Sequence, residues 1–181
     1  MDETGFFFNN VPRGSLCVSS APALKQDKAR ITLALCTNAT GTDKSPLLFS
    51  GKSVKPRWLA KKPADVQYTS APRAWMTTTT FQDWLRDVDQ SMREKRRRVL
   101  LLVDNASSHC DDGLALTNVR LAKLPPNTTS KIQPLGQGFI YCVKREVLRK
   151  KMEHALDRIE DGEENLYKVG MLKGIEWCAE A

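Results

Sequence analysis

The sequence predicts a mixed α/β domain in which helices pack against a sheet, and three patterns support this fold class. Residues 30–36 and 99–103 are short and apolar, which is typical of buried strands. Between these two segments, apolar residues lie on one face at helical spacing: Phe81, Trp84, Leu85, Val88 and Met92. A second stretch with helical periodicity follows residue 137. The predicted order is therefore strand, hairpin, helix, two strands and helix.

The amino-terminal part of the chain predicts most of a sheet. Residues 2–8 have the composition of the end of a buried strand followed by a turn, with no sequence before them, so we expect a truncated amino-terminal strand. Residues 30–36 and 46–49 predict a hairpin, with the polar segment 38–43 as its turn. Residues 65–68 predict a short edge strand.

The middle of the chain predicts a helix followed by two strands. Thr80 is the predicted N-cap of the helix, which ends in the basic run 93–98. That run is equally compatible with a solvated helix end and with a nuclear localisation or DNA-backbone patch. Residues 99–103 predict a central parallel strand that is buried on both faces. Residues 119–124 predict the next strand, which two prolines end.

The carboxy-terminal part predicts a long basic helix and a helical tail at residues 161–181. The cations of the long helix are candidates for phosphate contacts: Lys144, Arg145, Arg149, Lys150 and Lys151. Three tryptophans, Trp58, Trp75 and Trp84, are predicted to anchor the core rather than to stack on nucleic-acid bases.

Composition restricts the class of protein and its partners. The 181 residues are 41% hydrophobic and 27% charged, which suits a globular domain, and no apolar run predicts a membrane span. Five cysteines, including Cys17, form no CxxC pair, so we expect neither a zinc ribbon nor a disulfide framework. A net charge of +7 favours polyanionic partners.

Two aspartates at strand ends are candidate metal ligands. Asp104 directly follows the apolar run 99–103, and Asp2 begins the other strand fragment. If the two strands are parallel neighbours, both carboxylates come within reach of shared Mg²⁺ or Mn²⁺ ions. Asp104 followed by asparagine also fits a plain turn or helix cap. His109 is predicted to bond to the backbone or cap a helix rather than to orient a phosphate.

Three short motifs occur in a recognisable order. Residues 1–5 are Met-Asp-Glu-Thr-Gly, residues 101–109 are Leu-Leu-Val-Asp-Asn-Ala-Ser-Ser-His, and residues 133–138 are Gln-Pro-Leu-Gly-Gln-Gly. With the intervening segments 28–41, 46–53 and 74–85, the chain resembles the DDE superfamily endonuclease domain of pogo, Tigger and mariner-type transposases. This group includes jerky and centromere-binding protein B-like proteins.

The resemblance implies a fold, a chemistry and a location. It implies an RNase H-like sheet flanked by helices over residues 1–160, with residues 161–181 as a carboxy-terminal tail. It also implies a nuclear protein that cuts and joins DNA with Mg²⁺ or Mn²⁺. Asp2 and Asp104 would be the first two catalytic, metal-binding carboxylates. DNA would be the partner, no membrane would be involved, and a homo-oligomer is left open.

Two departures from the family pattern affect the predicted activity. Gly136 stands where the family has its third aspartate, 32 positions after Asp104 as the motif requires, so the acid is substituted rather than misaligned. We therefore expect impaired cleavage, and we do not expect Glu146 to replace the missing acid. The resemblance also implies an upstream helix-turn-helix DNA-binding region in members of the family, and we expect this region to be absent here because the sequence starts inside the first catalytic motif.

Three functional readings remain at this stage. The first is a DDE-type endonuclease domain that binds nucleic acid and is catalytically impaired. The second is a domesticated, non-catalytic nuclear DNA-binding or scaffold protein. The third is a transposon fragment without a function.

Overall fold

Two sheets form the framework of the computed structural model, which describes residues 1–11 and 27–181. The larger sheet has the order β1 (Asp2–Phe6), β2 (Ile31–Leu35), β3 (Leu47–Gly51) and β4 (Val66–Ser70). The smaller sheet pairs β5 (Val99–Val103) with β6 (Val119–Lys123). Strands β1, β2 and β3 are antiparallel neighbours, whereas the β3–β4 and β5–β6 pairs are parallel. The predicted hairpin and edge strand are confirmed.

The two sheets meet at the amino terminus. The ammonium group of Met1 donates a hydrogen bond of 2.9 Å to the carbonyl oxygen of Leu102 in β5. Strand β1 pairs along its length with β2, and its first residue pair is Asp2 opposite Leu35. Strands β1 and β5 belong to separate sheets, so the parallel pairing on which the two-aspartate hypothesis was conditional is not formed, although Met1 links the strands.

Helices cover both faces of the larger sheet. Helix α1 (Thr78–Glu94) lies between β4 and β5 in the chain, and a short helix α2 (Thr129–Ile132) follows β6. A π-helical turn, Leu135–Phe139, runs into α3 (Ile140–Glu160), and α4 (Met171–Glu180) ends the chain. A 3-10 turn, Leu59–Lys61, precedes β4. The mixed α/β fold class is confirmed.

Two hydrophobic clusters hold the layers together. On one face of the larger sheet, Ala34 and Leu48 pack with the α1 residues Phe81 and Leu85 and with Val103 of β5. On the other face, a second cluster joins the sheet to α3, α4 and the segment after β1; it contains Phe6, Phe8, Ile31, Leu33, Phe49, Val147, Ile175 and Trp177. The predicted tail therefore contributes to the same core as β1.

Strand β5 is buried on one face, which corrects the expectation of a strand buried on both faces. Leu101 and Val103 are buried, whereas Leu100 is 58% exposed and Leu102 is 39% exposed. These two leucines line an open cleft of about 670 Å³ between the two sheets. A continuous apolar run therefore did not distinguish a central strand from a strand at the border of a cleft.

Helix α1 begins earlier than predicted. Thr77 is the N-cap, because its hydroxyl oxygen accepts a hydrogen bond of 3.1 Å from the backbone N–H of Thr80. The predicted apolar face is confirmed for Phe81, Trp84 and Leu85, which are buried.

Tryptophans and cysteines complete the comparison with the expectations. Trp84 is buried and Trp58 packs edge-on against Tyr68, but Trp75 is 59% exposed and does not anchor the core. In the described residues all cysteines are free; they are Cys36, Cys110, Cys142 and Cys178. Cys17 lies outside the described residues.

Within the described residues, no helix has both the length and the apolar character needed to cross a bilayer.

Buried Asp89 links α1 to the start of β6. Its Oδ1 accepts hydrogen bonds from the backbone N–H groups of Thr117, Asn118 and Val119 at 3.0, 2.7 and 2.8 Å. Its Oδ2 lies 3.1 Å from Nη2 of Arg93. Burial opposes ionisation, but the backbone hydrogen bonds outweigh it and lower the pKa of Asp89.

We predict that Asp89→Ala lowers the free energy of unfolding by about 3 kcal/mol, because three backbone donors lose their acceptor. Denaturant unfolding followed by circular dichroism measures the change. Asp87→Ala, on the exposed side of the same helix, is the control and should change stability by less than about 0.5 kcal/mol. Equal losses in the two variants would contradict this role.

Candidate functional site

Asp2 is a buried carboxylate on the face of β1 that α3 covers. Asp2 is 9% exposed, and its Oδ1 accepts a hydrogen bond of 2.9 Å from the backbone N–H of Glu3. Burial raises the pKa of Asp2 to about 6, and the negative charges of Glu3 and Asp104 add to that increase. Asp2 and Asp104 thus lie close enough for their charges to interact.

Gly136 lies directly beside Asp2. A Cβ atom placed on Gly136 would be 3.4 Å from Oδ2 of Asp2. The preceding Gln133 is buried and fixes this segment on β1, because its Nε2 donates a hydrogen bond of 3.0 Å to the carbonyl oxygen of Met1. The first and third motif positions are therefore adjacent, and a side chain at position 136 would point at Asp2.

Asp104 is tied to β1 through His109. Nδ1 of His109 lies 2.7 Å from Oδ1 of Asp104, and its Nε2 lies 2.7 Å from Oε1 of Glu3. The backbone N–H of Ala106 also donates to Oδ1 of Asp104, at 3.1 Å. One imidazole thus joins the end of β5 to the middle of β1.

The environment of His109 favours its charged form. The ring is fully buried and packs against Phe81 with a centroid distance of 4.7 Å. Burial alone would lower the pKa of His109, but the hydrogen bond and charge of Glu3, together with the charge of Asp104, outweigh burial and raise it. The predicted backbone contact of His109 is present, since Nδ1 lies 3.4 Å from the carbonyl oxygen of Asp104, but both ring nitrogens also contact carboxylates.

The side chains at this site do not fit a pair of divalent ions. Position 136 supplies no oxygen ligand, and one oxygen of Asp104 is already held by His109 and Ala106. Across residues 1–11 and 27–181, no three His, Cys, Asp or Glu side chains are arranged to hold a metal ion. Glu146 does not fill the gap, because both of its carboxylate oxygens accept hydrogen bonds from Arg149.

Two predicted cations, Lys144 and Arg145, lie in the first turns of α3. The ammonium group of Lys144 donates a hydrogen bond of 2.5 Å to the hydroxyl of Thr4, two residues along β1 from Asp2. Burial lowers the pKa of Lys144, and the negative charge of Asp2 opposes that effect. Arg145, the next residue, is exposed.

The other three predicted cations already have partners in the protein. Arg149 forms ion pairs with Glu146 and Glu153, and Lys150 forms one with Glu180. Lys151 is 5% exposed and donates hydrogen bonds to the carbonyl oxygens of Phe8 and Asn10. The expectation that Lys151 contacts DNA is therefore corrected, since its ammonium group points into the protein.

Sequence reasoning did not assign a site role to Glu3, Thr4 or Gln133. Glu3 follows Asp2 directly, and the alternation of side chains along a strand places it on the opposite face, where it meets His109. The one signal in the sequence is that each of these residues lies inside or beside a motif shared with the family.

This mixed α/β fold, with one carboxylate on β1, another directly after β5 and a basic helix, is consistent with a DDE nuclease fold. The chain belongs to the DDE superfamily endonuclease family, which matches residues 28–181. Endonucleases of this superfamily typically use divalent metal ions.

Named relatives include chromosome-associated and transposon-derived proteins. The chain is 33% identical to "ARS-binding protein 1" of Schizosaccharomyces pombe over 100% of its length and 37% of the relative. It is 31% identical to mouse "Tigger transposable element-derived protein 4" over 92% of its length and 33% of the relative. It is 30% identical to human "Major centromere autoantigen B" over 99% of its length and 29% of the relative.

The chain spans about a third of the length of these curated relatives. No solved structure matches it.

We predict that Asp2→Asn raises the free energy of unfolding at pH 7.5 by about 1–2 kcal/mol, because it removes a buried charge. The folded-state pKa of Asp2, about 6, lies above its ordinary value of 3.8, so the native state binds more protons between these values. Asp2 therefore makes stability fall as pH rises from about 4 to 6, and the substitution should reduce that slope.

Urea unfolding at a series of pH values measures this effect. Asp83→Asn, at an exposed carboxylate paired with Arg86, is the control and should leave the profile unchanged. An Asp2→Asn protein that is less stable than the unaltered protein at pH 7.5 would show that the Asp2 charge stabilises the fold.

Proposed function

We propose that this chain is a nuclear DNA-binding domain of the DDE transposase type, with an RNase H-like architecture, in which metal-dependent DNA cleavage is impaired. The observation that carries the proposal is the position of Gly136, whose Cβ direction points at Oδ2 of Asp2. An acid at this position would complete a three-carboxylate site with Asp2 and Asp104, and glycine leaves that corner without a ligand.

The physical argument concerns the charge that holds the metal ions. Two divalent ions about 4 Å apart can stabilise both the attacking and the leaving oxygen of a phosphodiester, and carboxylates provide the compensating negative charge. With one carboxylate missing, the Mg²⁺ or Mn²⁺ that the family would use loses a ligand. Removing an interaction made in the transition state typically lowers the rate by about 10²–10³-fold.

DNA binding does not depend on the missing acid. Lys144 and Arg145 lie at the start of α3, beside the site, and the protein carries a net charge of +7. The relatives' names, which record ARS binding and a centromere antigen, support a chromosomal role. This favours a domesticated DNA-binding protein over an active transposase.

The cleavage prediction is tested with supercoiled and linear DNA in Mg²⁺ or Mn²⁺. We expect no cleavage by the unaltered protein and at least tenfold more by Gly136→Asp, because a Cβ at position 136 would lie in van der Waals contact with Oδ2 of Asp2 and so place the added carboxylate beside it. Asp104→Ala in the Gly136→Asp background is the matched control and should abolish the gain. Robust cleavage by the unaltered protein that Asp104→Ala removes would refute the proposed impairment.

The DNA-binding prediction is tested by fluorescence anisotropy with duplex DNA at several salt concentrations. We expect Lys144→Ala combined with Arg145→Ala to weaken binding about tenfold and to reduce the slope of log K against log salt by about 2, since two phosphate contacts are lost. Lys55→Ala combined with Arg86→Ala removes the same charge from other exposed positions as a control. Equal weakening in both double variants would argue against a specific role for α3.

A further inference from the structure

Trp75 occupies an unusual position for a large aromatic residue. Its side chain is 59% exposed, and it directly follows Ala74, which has a left-handed backbone with φ +54° although it is not glycine. Ala74 is completely buried, and its backbone N–H donates to the carbonyl oxygen of Ala71 at 2.8 Å. A turn of this kind in an alanine is strained and persists only when the surrounding structure holds it.

Two buried hydroxyl groups hold this turn. The hydroxyl of Thr32 on β2 donates a hydrogen bond of 2.5 Å to the carbonyl oxygen of Ala74. The hydroxyl of Ser50 on β3 donates one of 3.4 Å to the carbonyl oxygen of Trp75. Thr32 and Ser50 are paired in neighbouring strands and are 8% and 1% exposed. Two side chains from the interior of the sheet thus hold the carbonyl groups of Ala74 and Trp75, and this fixes the backbone that presents the indole to solvent.

Arg30 adds a cation to the indole and places it beside β1. The guanidinium carbon of Arg30 lies 4.8 Å from the centroid of the Trp75 ring, which is cation–π geometry. Nη1 of Arg30 lies 3.6 Å from the position that a Cβ on Gly5 would occupy. Gly5 and Glu3 share one face of β1, about 7 Å apart, so the Trp75–Arg30 pair lies on the same face as the Glu3–His109 contact.

We propose that the Trp75–Arg30 pair is a stacking platform for an unpaired base of single-stranded DNA on the face of β1 that carries Glu3. This inference rests on the proposed DNA-binding function and specifies the form of DNA that this face accepts. An indole and a guanidinium group offer flat surfaces to any base, and such stacking tolerates sequence. Exposed Lys28 and Arg73, each two residues from a member of the pair, provide cations for the adjoining phosphates.

The charge around the platform favours DNA over a peptide. Proline-rich peptides also dock against exposed tryptophans, but the three cations nearest in the chain, Lys28, Arg30 and Arg73, suit a polyanion. The strained turn also supports a binding role. Buried hydroxyl groups hold the carbonyl oxygens of both Ala74 and Trp75, and strained backbone of this kind is more common at binding sites than at surface positions without a function.

The test is the affinity of the full chain for a fluorescein-labelled ten-nucleotide oligothymidine, measured by anisotropy alongside a duplex of the same length. We expect Trp75→Ala to weaken oligothymidine binding about tenfold, which is within the range for losing one stacked base. Trp75→Phe should keep most of the affinity, and Arg30→Met should weaken binding about threefold. Duplex binding should change less than twofold in all three variants.

The matched control is Tyr141→Ala, which removes another aromatic residue, 65% exposed, from α3. Circular dichroism verifies the fold of each variant. If Trp75→Ala binds oligothymidine as tightly as Tyr141→Ala does, or if a proline-rich peptide binds at Trp75 while oligothymidine does not, the platform is refuted. Intact duplex binding in that case leaves the proposed DNA-binding function standing, so the two failures are distinguishable.

Discussion

The short strand β1 is the constraint on which the rest of the structure depends, because each part of the candidate site is attached to it by a polar contact. On one side it is joined to the smaller sheet, and on the other to the segment and helix that carry the third motif. The contacts are Met1 with Leu102, Glu3 with His109, Met1 with Gln133, Thr4 with Lys144, and Phe8 with Lys151. Strand β1 and the residues that flank it, Met1 and Phe8, thus set the relative positions of three motifs that are far apart in the chain.

These attachments use ionisable groups inside the protein, and this has an energetic consequence. Burial raises the pKa of Asp2 to about 6 and lowers the pKa of Lys151 to about 8, so in both cases folding opposes the charged form. His109 differs, because two carboxylates compensate its burial. Asp2 and His109, whose pKa values are both shifted, interact with the same carboxylates, Glu3 and Asp104, and such groups are more typical of functional sites than of cores built for stability. The stability of the fold must come instead from the two apolar clusters on either side of the larger sheet.

Periodic patterns in the sequence predicted the elements well, but not their surroundings. The β2–β3 hairpin, the apolar face of α1 and the extent of α3 follow from local patterns. The exposed face of β5 does not, since a continuous apolar run is compatible with either environment. Four consecutive threonines, 77–80, offer equivalent caps to α1, so the sequence could not identify which one begins the helix.

The candidate functional site shows the same limit of sequence patterns more clearly, because its contacts join residues that are far apart in the chain. The positions of Asp2, Asp104 and Gly136 could be proposed from motifs, but the Glu3–His109 contact joins residues 106 positions apart and has no local signal. Lys151 belongs to a run of cations, and in a helix one member of such a run can face inward. Trp75 was assigned to the core because large aromatics usually lie there, whereas the hydroxyls that turn it outward come from two other strands.

The residues proposed for catalysis and those proposed for DNA binding are held in place by different contacts. Gly136 is close to Asp2 and Gln133, whereas Lys144 is held by Thr4 and the turn before Trp75 is held by Thr32 and Ser50. None of these supporting contacts involves a side chain at position 136, so an acid can be replaced there by glycine without disturbing them. Replacement would also remove a third negative charge from a site where Asp2 already resists ionisation, which lowers repulsion in the absence of metal. The proposed loss of a catalytic ligand at position 136 is therefore compatible with the proposed DNA-binding surfaces, because different contacts support the two.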